Sequence, residues 1–316
     1  MKNKIQEAGH NADASKDAAS VLSKREDAQG YAIWSVDWED GDERFHPAGR
    51  FVEASRRMHE ILGEVTGGRM TWYAKVDFLS DITDHPGLDR LAQDILDAGG
   101  EIGPHIHHCS WAPYWRKRAF QRAHRVLQDR LGVAATSYSS GMGNYVNTDT
   151  QALLELGFRD GRLLYPWLKH NYAAYFDHPY YSGLAGMDLL DSAEGIRAGY
   201  VDPEDYRRYT TKQTVVNFPQ TRLPEYRENP DSQYQLTLGV NTEENSERLI
   251  TSAEAHTRFI HGYCHPCDVC DEEGRITEQA LRRIKHLAVL LKVEGFAFVT
   301  SAQARAAFDK YGEIAT

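Results

Sequence analysis

From Tyr31 onward, short runs of apolar residues alternate with longer stretches in which apolar residues recur every three or four positions. The run YAIWSV from Tyr31 predicts a buried strand. Between Pro47 and Val65, the spacing of Phe51, Met58, Ile61 and Leu62 predicts a helix, which Gly67-Gly68 stops. MTWYAKV from Met70 reads as a second strand, LDRLAQDILDAGG as a helix ending in glycine, and Glu101 to His105 as a third strand. A helix from about Tyr114 to Leu131, a strand AATSYS from Ala134, a helix TDTQALLELG and a strand RLLYP from Arg162 continue the alternation. Residues 167–212 are polar, rich in tyrosine and glycine and without a clear period, and so predict a long insertion. Beyond it, TVVNFP from Thr214 and YQLTLGV from Tyr234 read as strands, followed by a helix from Glu243 to about His256 and the strand-like RFIHGYCHP. The last unit is the clearest. Leu281, Ile284, Leu287, Ala288 and Leu291 give its helix one apolar face, before a strand FAFVTS and a helix AQARAAFDKYG.

About eight strands alternating with helices imply an α/β fold with a mostly parallel sheet, either barrel-like or doubly wound. Residues 1–29 are polar and read as a flexible tail, leaving 30–316 as a single domain. In a barrel the strand ends point to one mouth, where active sites form. Three features distant in the chain then converge: the acidic turn Asp37-Trp38-Glu39-Asp40, the histidines of GGEIGPHIHHCSW, and His265 after a late strand.

Composition narrows the function. With 41% hydrophobic and 26% charged residues the chain is ordinary for a water-soluble protein, and its formal charge of -10 argues against a nucleic-acid partner. No apolar run is long enough for a membrane span, and the N-terminal stretch lacks the apolar core of a secretory signal, so a cytoplasmic protein with a small-molecule or carbohydrate substrate is expected. Cysteine usage does not suggest a disulfide framework. Cys264, Cys267 and Cys270 have C-x-x-C-x-x-C spacing that could hold an iron–sulfur cluster with Cys109, but reduced thiols are the expected state.

His105, His107, His108 and Cys109 fall within five residues at a strand end and point to a transition-metal site. One carboxylate and two imidazoles hold a divalent ion while leaving positions open for water and a carbonyl oxygen. A second carboxylate can take the water's proton, and a separate imidazole can give one to a leaving nitrogen. Tyr180, among the tyrosines of the insertion, is a candidate wall for a sugar ring, and Trp38 and Tyr138 are further candidate substrate-binding aromatics.

The order of these motifs resembles the polysaccharide deacetylase, or NodB-homology, family over about Tyr31 to Phe308. The resemblance is carried by SVDWED, GGEIGPHIHH, His265-Pro266 and the closing HLAVLLKVEGFAFVTSAQA. It implies a distorted (β/α) barrel of seven or eight strands and metal-dependent hydrolysis of an N-acetyl amide on a sugar or polysaccharide precursor. It also implies Asp37 as general base, Glu39 as metal-binding acid, His105 as the first metal histidine and His265 as general acid. Zinc is the expected metal, with cobalt, nickel, manganese or iron also compatible with such ligands.

The chain departs from the family in three places. The family's second metal histidine stands four residues after the first, which here is Cys109, so the second ligand is Cys109 itself, His107 or His108; His107 is favoured slightly, because it shares a face with His105 if the strand continues. Trp38 separates the two acids, which are adjacent in the family, and leaves Asp40 as an alternative to Glu39. On the fourth strand, SYSSGMG has serines where the family has an arginine that orients the aspartate. Either another arginine reaches in, or the base is tuned differently, or the chain is a catalytically silent glycan-binding barrel. Hydrolysis of another small C–N bond, a formamide or a ureide, is the remaining enzymatic alternative.

Overall fold

The computed structural model describes residues 30–41, 49–78, 81–107, 112–141, 145–163, 197–206, 208–222, 236–237, 241–254, 257–271, 273 and 275–312. The expected N-terminal tail, His108, Cys109, Tyr180 and residues 167–196 of the insertion lie outside these.

The chain runs β1 (Gly30–Trp38), α1 (Gly49–Thr66), β2 (Thr71–Lys75), α2 (Leu88–Asp97), β3 (Glu101–Ile106), α3 (Pro113–Leu131), β4 (Ser137–Ser140), α4 (Asn147–Glu155) and β5 (Asp160–Arg162). It continues with β6 (Gly199–Val201), β7 (Tyr209–Thr210), β8 (Val216–Asn217), α5 (Glu243–Glu254), β9 (Phe259–Cys264), α6 (Glu278–Val293), β10 (Phe296–Val299) and α7 (Ser301–Tyr311). Strands β1 to β5 pair in sequence order and in parallel, and β8 follows β5. β9 and β10 both pair parallel with β1. This is the expected α/β barrel-like sheet, although among the described residues no continuous ladder closes it. Between the β8 and β9 sides, single backbone bonds from Thr221 N to His261 O (2.9 Å) and from Tyr263 N to Leu236 O (3.2 Å) span the gap.

The stretch 197–212, expected to be irregular, instead forms the antiparallel strands β6 and β7, with β6 also pairing β8. Its register needs a glycine, because a Cβ on Gly199 would lie 2.4 Å from the Tyr209 ring. Among the described residues, no helix is long and apolar enough to cross a membrane.

Neighbouring residues of a strand face opposite ways, and this sorts the chain into two cores. On β1, Ala32, Trp34, Val36 and Trp38 join the cluster under the surrounding helices, whereas Tyr31 and Ile33 join an inner cluster with Val216, Phe218, Phe259 and Phe308. Helix α7 contributes Ala304, Ala307 and Phe308 to the inner cluster, so apolar side chains fill the end of the sheet where β1 begins. Further along, β1 turns its inner face over to Ser35, where His261 of β9 meets it at 2.9 Å through Nε2, while His261 Nδ1 contacts Phe218 O at 2.8 Å. Burial pushes the His261 imidazole down to about 3, so it bridges the apolar and polar layers as a neutral ring. Two residues further along β1, Asp37 faces the open end.

Candidate metal centre and its acid–base pair

Three parallel strands deliver the site by the same alternation. On β3, Ile102 and Ile106 go to the helix-side cluster, and the other face carries His105 and then His107, where the chain stays extended just past the strand. The backbone N–H of His107 is held by Asp77 Oδ2 at 3.2 Å. On β9, Ile260 and Cys264 go to the helix-side cluster, leaving Phe259, His261, Tyr263 and His265 on the inner face. Room for His107 comes from Gly141, where a Cβ would lie 1.9 Å from the imidazole Cδ2. Any side chain there expels the ring.

His105 Nε2 and His107 Nε2 are 2.9 Å apart, and Glu39 Oε2 lies 3.6 Å from His107 Nε2. All three ligand atoms fall within 4.8 Å of one another. Asp40 is turned away to His85 Nε2 at 2.7 Å, so Glu39, not Asp40, completes the set. His105 Nδ1 lies 3.0 Å from Ser139 Oγ; donating its hydrogen there leaves the Nε2 lone pair aimed at the centre. Burial lowers both imidazoles, that of His105 to about 3, so both remain neutral donors. Burial alone raises Glu39, but the His265 hydrogen bond and the surrounding imidazoles outweigh it and hold the carboxyl ionised. One carboxylate and two neutral Nε2 atoms converging on a point are the donor chemistry of a divalent-metal site. Among the described residues His107 is the one that stands with His105 and Glu39; His108 and Cys109, the other two residues the sequence offers as second ligand, lie outside them.

Asp37 stands beside this set, with Oδ2 4.0 Å from His105 Nε2 and 3.8 Å from His265 Nε2. Arg162, from β5, bonds both Asp37 oxygens through Nη2 and reaches Ser139 Oγ at 3.0 Å. Its guanidinium lies over the Tyr263 ring, 4.4 Å from the centroid, which fixes its plane. Burial would raise the Asp37 carboxyl, but Arg162, His105 and His265 together bring it below the ordinary carboxylate value. The position vacated on β4 is thus served from the next strand: another arginine does reach in. Gly161 makes this possible, because its φ is +154 and a Cβ there would lie 1.8 Å from Tyr138 O.

His265 has the opposite electrostatics. Its Nδ1 is 3.0 Å from Asp268 Oδ2, which also accepts its backbone N–H at 2.8 Å, and its Nε2 is 3.3 Å from Glu39 Oε1. Burial lowers this imidazole, but Asp268 and Glu39 outweigh burial and carry it well above the ordinary histidine value. An ionised carboxylate and an imidazolium therefore flank the donor set, a base and an acid with their protons already distributed.

The remaining sequence candidates fall elsewhere. Trp38 and Tyr138 are fully buried and face the helix layer, which removes them as substrate contacts. Trp38 donates to Ser55 Oγ at 2.9 Å, and Tyr138 packs edge-on against Phe120. Each follows or precedes an inward-facing residue, so the strand alternation turns it outward. Cys264 likewise points outward, to Met58 Sδ at 3.8 Å, and takes no part in the second donor group, His265, Cys267 and Asp268. A cluster on all three cysteines does not fit this arrangement. Arg162 and Asp268 were not singled out as site residues from the sequence, and the serines around Ser139 only as the place where the family's arginine is missing. The one signal for Arg162 is an arginine at the inward parity of a buried strand, and the one for Asp268 is a carboxylate three residues after His265.

No protein-family profile matches the chain, and no curated protein matches its sequence. Solved structures do match. A Mycobacterium smegmatis protein described as a candidate polysaccharide deacetylase aligns over 90% of this chain and 91% of its own, with a TM-score of 0.56 and 13% identity. A 4-alpha-glucanotransferase from Thermococcus litoralis aligns over 88% of this chain but 39% of its own, with a TM-score of 0.51 and 13% identity. At these identities the likeness is one of fold, and it agrees with the order of motifs along the chain: the protein has the fold of the polysaccharide deacetylases.

Proposed function

We propose that the protein is a metal-dependent hydrolase of linear amide C–N bonds that removes the acetyl group from an N-acetylated sugar or polysaccharide precursor. The observation that carries this reading is the placement of Asp37 and His265 beside the Glu39–His105–His107 donor set, Asp37 Oδ2 4.0 Å from His105 Nε2 and 3.8 Å from His265 Nε2, with Arg162 bonded to the carboxylate and Asp268 to the imidazole.

Glu39, His105 and His107 are the residues that hold the metal, with zinc the first candidate. When bound, a divalent ion supplies Lewis acidity toward an amide oxygen and acidifies water. The chain's own residues supply the remaining steps. Asp37, kept ionised by Arg162, takes the proton of the attacking water at its carboxylate. His265, kept charged by Asp268, turns Nε2–H toward the centre and gives that proton to the departing nitrogen, which makes the amine a leaving group. Ser139 keeps His105 in the tautomer that offers Nε2. Arg162 sets the Asp37 carboxylate in place at the cost of basicity, a base that is ionised at any physiological pH.

Elemental analysis of the metal-replete protein beside Asp37→Ala and His105→Ala, with acetate and formate release measured on N-acetyl and N-formyl sugars, tests the reading. His105→Ala is expected to lose metal, and Asp37→Ala to keep metal but lose turnover. A wild-type protein that carries no metal overturns the mechanism, and formate release without acetate release reassigns the substrate.

A further inference from the structure

Beside the proposed metal centre, the described residues hold a second donor group of different chemistry: the imidazole of His265, the thiol of Cys267 and the carboxylate of Asp268, with one ligand atom from each within 4.8 Å of the others. Local backbone geometry brings them together. Pro266 starts a 3-10 helix, Pro266–Val269, and three residues per turn set 265 and 268 one above the other with 267 next to them. The Asp268 carboxylate lies between the two other groups, Oδ2 3.0 Å from His265 Nδ1 and Oδ1 3.9 Å from Cys267 Sγ. The other two thiols of this stretch are directed elsewhere, Cys264 to Met58 Sδ and Cys270 to the Pro266 carbonyl at 3.2 Å.

Atoms bound to one tetrahedral zinc lie about 3–4 Å apart, so small side-chain rotations close this set around an ion. All three side chains are partly exposed, and a hydrated ion reaches them with the fold intact. A thiolate, an imidazole and a carboxylate select zinc or cobalt over magnesium or calcium. The set differs from Glu39–His105–His107 by its sulfur, and the two meet at one ring: His265 turns Nδ1 to Asp268 and Nε2 to Glu39 Oε1, 3.3 Å away.

Occupation changes what that ring can do. An ion on Nδ1 takes the place of the hydrogen shared with Asp268; one proton leaves that nitrogen and one leaves the Cys267 thiol as the ligand bonds form. The imidazolium becomes a coordinated neutral imidazole, whose remaining hydrogen, on Nε2, can leave only by making an imidazolate. Such a ring is a far poorer acid. Because two protons must be displaced, this ion is held more weakly than one at the first centre, where His105 already presents its Nε2 lone pair.

We propose that His265, Cys267 and Asp268 form a second, weaker zinc site that silences the proton donor of the reaction when zinc is in excess. This rests on the deacetylase reading only for the effect on turnover; the site itself is tested by binding. Cobalt(II) is the probe, because a thiolate ligand gives it an intense near-ultraviolet charge-transfer band and the Glu39–His105–His107 set has no sulfur. The reduced full-length protein is titrated with cobalt beside Cys267→Ala, Cys267→Ser and His105→Ala, each with its melting temperature checked, and acetate release from an N-acetyl sugar is followed against free zinc. Wild type is expected to develop the band once cobalt exceeds one equivalent, both Cys267 variants to lack it and His105→Ala to keep it. Excess zinc is expected to slow wild-type turnover by about a hundredfold, the lower end of what a general acid contributes, and to leave the Cys267 variants at their one-equivalent rate.

No thiolate band in wild type, or one that survives both Cys267 substitutions, overturns the site. A band that His105→Ala abolishes puts the thiolate at the first centre and overturns it as well. A Cys267-dependent band with turnover unchanged in excess zinc leaves the site standing and overturns its control of the acid. Wild type that releases no acetate at any zinc level removes the deacetylase reading, while the band still decides the site.

Discussion

Ser139 on β4 and Arg162 on β5 are register partners, and Arg162 Nη2 lies 3.0 Å from Ser139 Oγ on its way to Asp37 on β1. The small side chain at 139 makes the crossing possible. The guanidinium fills the space above the serine, neutralises a buried carboxylate and leaves the hydroxyl to hold His105.

Arg162→Met leaves Asp37 buried without its cation. The expected cost is about 3–5 kcal/mol of stability, the usual penalty for breaking a buried ion pair from one side. Because Arg162 lowers the Asp37 carboxyl, its loss raises it, and the acid limb of kcat/KM against pH moves to higher pH. Denaturant unfolding and a pH profile check the two effects separately. An acid limb that stays in place shows that another group holds the base ionised.

Ser139→Ala removes the acceptor of His105 Nδ1 but leaves the Arg162–Asp37 pair. The ring then loses its fixed tautomer, and metal affinity is expected to fall by about 10–100-fold, the usual effect of losing such a partner. Competition with a chelator of known affinity measures it. Unchanged affinity means that packing alone orients His105.

Asp268→Asn takes away the largest group that raises the His265 imidazole. The folded value falls, His265 loses its proton at lower pH, and the alkaline limb of the activity profile moves down. Metal content is expected to stay at the wild-type level, since Asp268 is outside the Glu39–His105–His107 set. Loss of metal in this variant reassigns His265 to the ligand sphere.

Asp160, on the inner face of β5, accepts a hydrogen bond from Ser301 and is raised well above its ordinary 3.8 by burial and by the nearby Glu101 carboxylate. A folded value above the unfolded one means stability that is fully present below about pH 3.8 and is lost as pH rises toward the folded value. Asp160→Asn keeps an acceptor for Ser301 and has no proton to lose. Its melting temperature is expected to match or exceed wild type at neutral pH, with the gain growing as pH rises. A gain that shrinks as pH rises contradicts the assigned direction.

Much of this protein is determined by the local pattern of its residues. Apolar runs bounded by glycine specify the strands, and the apolar stripes of Phe51, Met58 and Leu62 or of Ile284, Leu287 and Leu291 specify helices that cover them. The two-residue period of a strand pairs His105 with His107, and it turns Trp38 away from the face that Asp37 takes, because successive Cβ atoms point to opposite sides. That Asp37, His105 and His265 meet follows from parallel strands ending at one mouth.

Only the tertiary structure decided that the arginine comes from β5 and that Gly141 makes way for His107. Each depends on register and spacing between segments far apart in the chain, set by the pairing of whole strands. A long side chain such as Arg162 can reach across a neighbouring strand only where its register partner is small, a condition that local periodicity does not encode.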